Sequence, residues 1–250
     1  MKKFITILML MLSSLSFSAK KLYVGTNAEF KPYEYLENGK ITGFDIELMN
    51  KLGEKLGYEI KWVDMNFDGL LTSLQLNKID AVIAGMSATE ERKKAVAFSV
   101  PYIFFKSGHL VLVNENSSFT SKEALKGKTS GVQIGSIQEG FAKEIGAIPK
   151  LYSNFTSALM ELQNQKVDSV IIAENTGNEF LKTMNKIKKI DFIDDSKPGA
   201  AIAFRKSDEK LALEFTKAIL ELKETEFYSE LIKKYFPDKY DDFIEQKQKK

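Results

Sequence analysis

A stretch of seventeen residues occurs twice in this chain, and the repetition limits the possible folds more than any other feature. Residues 67–83 (FDGLLTSLQLNKIDAVI) align without gaps on residues 155–171 (FTSALMELQNQKVDSVI), with 8 of 17 positions identical. Each copy runs from a helical pattern of apolar residues into a short apolar strand. A helix-strand unit that recurs after 88 residues predicts two lobes of similar construction rather than one continuous core.

Outside the repeat, apolar periodicity predicts strands that alternate with helices, which is typical of an α/β fold with parallel sheets. The clearest helix begins at Phe44, where apolar residues recur every four positions, and ends at Gly57. Residues 238–250 are charged and are expected to fray. Further strands are predicted at residues 22–25, 59–63, 82–84, 110–113, 129–134, 190–193 and 200–204, and further helices at residues 67–74, 121–128, 135–145, 175–184, 208–223 and 227–235.

The first nineteen residues have the three sections of a secretory signal peptide, with cleavage expected near Ala19. A basic start (residues 1–3) precedes an apolar run (residues 4–12) and a small-residue section. The apolar run is shorter than the ~20 residues of a transmembrane helix, so a retained anchor is the less favoured alternative. The expected mature chain carries 34 basic and 34 acidic residues, which argues against nucleic acid or an anionic membrane as its main partner.

The chain contains no cysteine and a single histidine, His109. Without cysteine there is no disulfide framework, no thiol nucleophile and no lipid attachment through an N-terminal cysteine. One histidine leaves little for a histidine-rich metal site or a Ser-His-Asp triad. We therefore predict no metal and no cofactor, and we expect a freely soluble exported protein in a compartment that retains it.

The first repeat leads directly into a candidate anion-binding corner. After the short strand at residues 82–84, Gly85 lets a ligand approach the backbone, and residues 87–90 fit a capping box that starts a helix. Unpaired N–H groups of a first helical turn attract an anion, and the planar fork of Arg92 can grip a carboxylate with two hydrogen bonds. Residues 135–139 form a second corner of this kind. The alternative is an ordinary turn with a surface arginine.

Six segments carry a family resemblance: GTNAEFKPY (25–33), GFDIEL (43–48), FDGL (67–70), KIDAVIAGMSATEER (78–92), FSVPY (98–102) and GVQIGS (131–136). In order and spacing they closely resemble the polar amino-acid-binding proteins of ABC importers, and they extend over essentially the whole mature chain. The resemblance implies the type II periplasmic binding protein fold, an α/β fold of two lobes, each a mixed sheet flanked by helices. Two hinge strands are expected near residues 105–110 and 195–199.

The same resemblance implies the lobe boundaries and the role of the chain. Lobe 1 is expected to comprise residues 20–107 and 198–250, and lobe 2 residues 108–197. The lobes are expected to close over one free L-amino acid and to present it to the membrane permease of an ABC transporter. A periplasmic monomer that binds its ligand without catalysing a reaction is therefore expected.

The resemblance also implies a ligand-binding site shared by both lobes. Arg92 is expected to bind the α-carboxylate, and Phe30 and Phe67 to enclose the ligand side chain, with simple core packing of the two rings as the alternative. Asn27 and Glu29 lie where selectivity is set, although Glu29 is equally compatible with a solvated loop charge. The expected site residues are Asn27, Glu29, Phe30, Phe67, Gly85, Met86, Ser87, Arg92, Gln133, Ser136, Ile137 and Glu174.

Three positions depart from the family pattern. The family usually has an aspartate at the end of the second-lobe strand to pair with the ligand ammonium, whereas this chain has Ala173 followed by Glu174. We expect Glu174 to take that role through its longer side chain. Ile137 stands where many relatives have threonine, which removes one hydroxyl from the carboxylate site, and Val100 replaces the usual aspartate before Pro101 without an evident reason.

Ligand identity depends on the residues that face the ligand side chain. Glu29 and Glu174 favour a cationic side chain, and the aromatic faces of Phe30 and Phe67 suit a guanidinium. Asn27 stands where some binders of basic amino acids have an acid. Arginine or lysine is therefore the first expectation, followed by glutamine or another polar amino acid.

Two other classes of function remain open on the sequence. One is a periplasmic enzyme on the same fold, similar to cyclohexadienyl dehydratases, in which Glu174 would act as the general acid. The other is the ligand-sensing domain of a signalling receptor, which is less favoured because no transmembrane segment or kinase region follows. An amino-acid-binding protein remains the first prediction.

Overall fold

The structure is a computed structural model that describes residues 19–103, 108–195 and 199–248. Most of the predicted signal peptide lies outside these residues. Much of both predicted hinge segments, and the lobe boundaries at 107 and at 197, lie outside them as well. None of the helices within the described ranges combines the length and the apolarity needed to cross a membrane.

Two five-stranded sheets form the centres of two lobes, and a three-stranded antiparallel sheet within residues 29–42 accompanies them. The strands of the described residues are β1 (Lys20–Thr26), β2 (Glu29–Phe30), β3 (Glu34–Glu37), β4 (Lys40–Thr42), β5 (Tyr58–Asp64), β6 (Ala81–Val82), β7 (Ala97–Phe98), β8 (Gly108–Asn114), β9 (Thr129–Gln133), β10 (Ile148–Tyr152), β11 (Ser169–Ala173), β12 (Ile187–Asp194) and β13 (Ala203–Phe204).

Both large sheets are mixed. The strand order is β5-β1-β6-β13-β7 in the first and β10-β9-β11-β8-β12 in the second. In the first sheet β13 runs antiparallel to β6 and β7, and the chain reaches β13 only after completing the second sheet. In the second sheet β8 runs antiparallel to both of its neighbours. The parallel sheets predicted from strand-helix alternation are therefore wrong, whereas the mixed sheets implied by the resemblance are present.

Helices cover the sheets through apolar faces. In the first helix, α1, the side chains of Phe44, Leu48 and Leu52 recur every four residues and are fully buried. Gly57 ends α1 in the left-handed region at φ +76°, and its N–H donates to the carbonyl of Glu54, as the sequence predicted. The helices of the described residues are α1 (Phe44–Leu56), α2 (Leu70–Gln75), α3 (Glu90–Ala95), α4 (Gln138–Glu144), α5 (Phe155–Gln163), α6 (Glu174–Thr183), α7 (Glu209–Lys223), α8 (Glu226–Tyr235) and α9 (Tyr240–Gln248).

The two copies of the repeat fold alike, one in each lobe. The first copy forms α2 and β6, and the second forms α5 and β11. The repeated aspartate makes an equivalent hydrogen bond in each lobe. Asp80 accepts a 3.0 Å bond from the N–H of Tyr23 in β1, and Asp168 accepts a 2.8 Å bond from the N–H of Thr129 in β9. The predicted duplication is therefore present as two equivalent helix-strand units.

The helix after β6 begins later than predicted. Thr89, rather than Ser87, caps α3 by accepting a hydrogen bond from the N–H of Arg92, and the helix starts at Glu90. Ser87 instead forms an isolated antiparallel bridge with Ala200, which keeps this part of the chain extended. The capping box predicted at Ser87 is therefore wrong, because pairing with another segment takes precedence over the local pattern.

Other differences lie where tertiary pairing decides the structure. The strands that were not predicted include β2, β3, β4 and β10. The C-terminal segment forms α9 instead of fraying, since Tyr240 and Phe243 pack against the core of the first lobe. The short helix and turn predicted within residues 121–128 is a single 3₁₀ turn, Glu123–Leu125.

Candidate functional site

A cleft between the two lobes collects the predicted polar residues. It lies where β1, β6, β9 and β11 end, and it is lined by side chains that follow these strands, including Asn27, Ser87, Gln133 and Glu174. Crevices beyond the carboxyl ends of parallel strands are the usual ligand sites of α/β sheets. The site therefore draws on both copies of the repeat and on both sheets.

Arg92 extends into this cleft from α3 and bonds to both lobes. Its Nη1 donates to the carbonyl of Ser87 at 2.9 Å, and its Nη2 donates across the cleft to the carbonyl of Gly135, also at 2.9 Å. The guanidinium lies 5.3 Å from the ring centroid of Phe67. Burial lowers the pKa of Arg92 to about 10, so the side chain stays cationic at neutral pH. A largely buried cation that bonds to carbonyl groups is suited to receive an anion.

Two amides connect the lobes within the cleft. Gln133 Nε2 donates to Asn27 Oδ1 at 3.0 Å and to the carbonyl of Ser153 at 3.2 Å. Asn27 in turn donates from Nδ2 to the carbonyl of Met65. The amides thereby fix each other's orientation, with Asn27 Oδ1 available as an acceptor at the floor of the cleft.

Aromatic rings form the apolar wall of the cleft. Phe30 stacks on Tyr33 with 5.2 Å between centroids and on Phe155 of the other lobe with 6.0 Å. Phe67 lies against the Arg92 guanidinium. Phe30 and Phe67 also contact the hydrophobic cores, so the core-packing interpretation and the site interpretation apply together.

An ion pair and a histidine–aspartate contact line the cleft. Lys239 Nζ lies 3.4 Å from Glu174 Oε2, and His109 Nε2 lies 3.2 Å from Asp195 Oδ2. His109 is buried and its second nitrogen contacts Gln138. The pairing of His109 with Asp195 connects β8 to the residue that follows β12.

A third acid, Glu34, lies at the floor of the cleft and is fully buried. The neighbouring carboxyl of Asp45 accepts from Tyr102 Oη at 2.6 Å and from the N–H of Gly85 at 2.8 Å, whereas both carboxyl oxygens of Glu34 are buried without a hydrogen-bond partner among the described residues. Burial, together with the neighbouring Asp45, raises the pKa of Glu34 well above its usual range, and burial raises the pKa of Asp45 to about 6. Desolvation disfavours the charged form of a carboxyl, so burial favours protonation at this pair.

Ten of the twelve predicted site residues line the cleft, and two do not. Glu29 lies on the opposite side of the short strand β2 from Phe30, so its side chain is exposed outside the cleft. The side chain of Met86 is buried in the core cluster of the first lobe. These two placements correct the prediction for Glu29 and Met86. The ten lining residues are Asn27, Phe30, Phe67, Gly85, Ser87, Arg92, Gln133, Ser136, Ile137 and Glu174.

Sequence reasoning missed several residues of the cleft. Phe155 is the counterpart of Phe67 in the repeat, so the alignment of the two copies contained a signal for it. Lys239 had no signal, because it lies in the charged C-terminal segment. The missed residues that line the cleft include Tyr33, Glu34, His109, Gln138, Phe155, Asn175, Asp195 and Lys239.

Together, the fold and the cleft define a class of protein. Two lobes with equivalent helix-strand units enclose a cleft that offers a buried cation, carboxylates, amides and aromatic faces to a small polar molecule. Binding in such a cleft contacts both lobes at once. The molecule is therefore a two-lobed ligand-binding protein.

Comparison with known proteins places the chain within a family. Residues 22–238 match the bacterial extracellular solute-binding proteins, family 3, and the chain belongs to that family. A probable histidine-binding protein of Campylobacter jejuni is 39% identical over 216 residues, covering 86% of this chain and 84% of the relative. The arginine-binding extracellular protein ArtP of Bacillus subtilis is 38% identical over 224 residues, covering 87% and 86%.

A solved structure shows the same fold. An ancestral arginine-binding protein bound to arginine superposes with a TM-score of 0.80 at 39% sequence identity, over 88% of this chain and 99% of that protein. The predicted membership in the solute-binding family and the two-lobed type II fold are therefore confirmed.

Proposed function

We propose that this protein captures a free amino acid, arginine in the first place, and delivers it to the membrane permease of an ABC transporter. The observation that carries the proposal is the position of Arg92, whose largely buried cation bonds only to carbonyl groups in the described contacts and faces both lobes. Such a cation is matched by a ligand carboxylate, which accepts two parallel hydrogen bonds from a guanidinium. Relatives named for arginine and histidine binding support the same ligand class.

In the proposed complex, the ligand charges are divided between the lobes. Arg92 and the hydroxyl of Ser87 in lobe 1 hold the α-carboxylate, with amides near Ser136 from lobe 2. Glu174 in lobe 2 holds the α-ammonium. Each ligand charge is costly to bury without a partner, and only the closed arrangement of the lobes supplies both partners. The ligand therefore makes better contacts with the closed state than with the open state, and this difference stabilises closure.

Arginine is favoured over lysine by the side-chain end of the cleft. The ring of Phe30 offers an aromatic face, and Asn27 Oδ1 and the side-chain oxygen of Gln133 are neutral acceptors nearby. A guanidinium is planar, weakly hydrated and able to stack on aromatic rings, whereas a lysine ammonium is a strongly hydrated point charge that needs an acid. Since Glu29 lies outside the cleft, the acid that was expected to favour a cationic side chain does not line this end.

The remaining parts of the proposal concern location and chemistry. Residues 1–19 are proposed as a cleavable signal peptide that directs a monomer to the periplasm. The relatives reported above are named binding proteins, which supports binding rather than the dehydratase reaction. Incubation with arogenate or prephenate is accordingly expected to yield no aromatic product.

A thermal-shift screen of the free amino acids tests the proposal. A ligand present at 100 times its Kd stabilises the native state by about 2.7 kcal/mol, which for a chain of this size raises Tm by about 5 to 10 °C. We expect the largest shift with L-arginine and smaller shifts with lysine and glutamine. A larger shift with another amino acid would contradict the arginine preference, and no shift with any amino acid would contradict the proposed function itself.

A further inference from the structure

Lys239 forms an ion pair across the cleft with the residue proposed to hold the ligand ammonium. Its Nζ lies 3.4 Å from Glu174 Oε2, and the side chains of both residues are about one quarter exposed and line the cleft. Glu174 begins α6 in lobe 2, directly after Ala173 at the end of β11. The pair therefore joins the C-terminal segment to the opposite lobe at the ligand-binding position.

The segment that carries Lys239 is fixed to lobe 1. Phe236 is buried, with its ring 5.2 Å from the rings of both Tyr33 and Phe44, and it starts the 3₁₀ turn that ends at Lys239. On the other side of Lys239, Phe243 of α9 packs 5.7 Å from the ring of Tyr228. Lys239 thus extends into the cleft from an anchored turn, and its ammonium is presented to Glu174 by the fold of lobe 1.

The Lys239 side chain carries the same functional group that the ligand would bring to Glu174. Ala173 supplies no second acid at this strand end, so one carboxylate faces two candidate ammonium groups. We infer that Lys239 is a built-in counter-ion that occupies Glu174 while the cleft is empty and is displaced by the α-ammonium of the ligand. The inference rests on the proposed function, and it adds a residue that tunes ligand affinity.

An ion pair that only holds the two lobes together affects ligand binding differently from a counter-ion that competes with the ligand. Lys31 Nζ also bridges the lobes, at 2.9 Å from Glu179 Oε2 of the same helix α6, but neither residue lines the cleft. Removing that pair only weakens the closed state. Removing Lys239 frees the carboxylate that the ligand needs, and it also removes a positive charge next to the incoming ammonium. The two lysines therefore form a matched comparison.

The test is calorimetric titration of L-arginine into wild type, Lys239→Met, Lys31→Met, Glu174→Gln and the double variant with Lys239→Met and Glu174→Gln. Partly exposed ion pairs are weak, so we expect Lys239→Met to bind arginine about two- to fivefold more tightly than wild type. Lys31→Met is expected to bind equally or somewhat more weakly. With Glu174→Gln already in place, binding is expected to be weaker than wild type, and Lys239→Met is expected to give a smaller gain, due only to the removed positive charge.

Several results would overturn the inference without affecting the proposed function. Weaker or unchanged binding by Lys239→Met would show that the lysine does not compete with the ligand. An equal gain with and without Glu174→Gln would show a general charge effect, and wild-type affinity in Glu174→Gln would show that another acid holds the ammonium. If wild type itself binds no amino acid, the proposed function fails first, and the inference fails with it.

Discussion

The ring of Phe30 lies directly against Gly85, so that a Cβ added to this glycine would be 2.8 Å from Phe30 Cε1. Gly85 also adopts φ +53°, a left-handed conformation that side chains rarely take. Its N–H donates to Asp45 Oδ2 at 2.8 Å. The strand end beside the Arg92 site is therefore shaped by a ring on one side and a buried carboxyl on the other, and the position of the cleft wall depends on this glycine.

Gly85→Ala is expected to weaken both binding and folding. The left-handed backbone costs an alanine about 1–2 kcal/mol, and the contact with Phe30 must be relieved by moving the ring that lines the cleft. We expect arginine affinity, measured by calorimetry, to fall at least about tenfold. Gly57→Ala is the matched control, because φ is +76° and nothing lies within 4 Å of the added Cβ. It should lose stability alone, and equal affinities in Gly85→Ala and wild type would contradict this account.

The buried carboxyl pair predicts how stability depends on pH. Burial raises the pKa of Asp45 from 3.8 to about 6, and burial with the neighbouring Asp45 raises the pKa of Glu34 well above 4.5. Over the interval between the unfolded and folded pKa values, the native state binds more protons than the unfolded state does. The free energy of unfolding therefore falls as pH rises from about 4 through 6, and for Glu34 it continues to fall above that.

Glu34→Gln removes this dependence in part. The amide is neutral at every pH and needs no proton to be buried, so the variant is expected to be more stable than wild type at pH 8 and closer to it at pH 5. Urea unfolding at the two pH values measures the difference. Glu37→Gln, exposed on the same strand, is the control and should follow wild type. A parallel decline in Glu34→Gln and wild type would show that the pair does not titrate as described.

Most features of the two repeated helix-strand units could be predicted from the sequence, because the signals for them are local. The aspartates of the two copies, Asp80 and Asp168, recur because each accepts a bond from the parallel strand next to its own strand, β1 in one lobe and β9 in the other. The turn before each strand uses a left-handed residue, Asn77 in one copy and Gln165 in the other, both at φ +57°. Local periodicity and a shared hydrogen bond are encoded within one short segment, so alignment alone could find them.

The parts that escaped prediction depend on contacts between distant segments. The charges of residues 238–250 indicated a fraying tail, yet packing of Phe243 on Tyr228 holds α9 in place and brings Lys239 into the cleft. The side on which Glu29 projects was undetermined, because nothing local fixed the register of the short strand β2. The resemblance located ten of the residues that line the cleft, but it gave no information on which pairs, such as Lys239 with Glu174, form across it.

The most direct test of the central claim is the affinity of Arg92→Lys for L-arginine by calorimetric titration. Lysine keeps the charge but lacks the planar fork, so it cannot give a carboxylate two parallel hydrogen bonds. Arg205→Lys is the matched control, because Arg205 bonds to the carbonyl of Ile79 and to Asp80 and does not line the cleft. We expect wild type and Arg205→Lys to bind one arginine with similar Kd, and Arg92→Lys to bind about 10- to 100-fold more weakly. Equal affinity in Arg92→Lys and wild type would contradict the assignment of Arg92 as the carboxylate-binding residue.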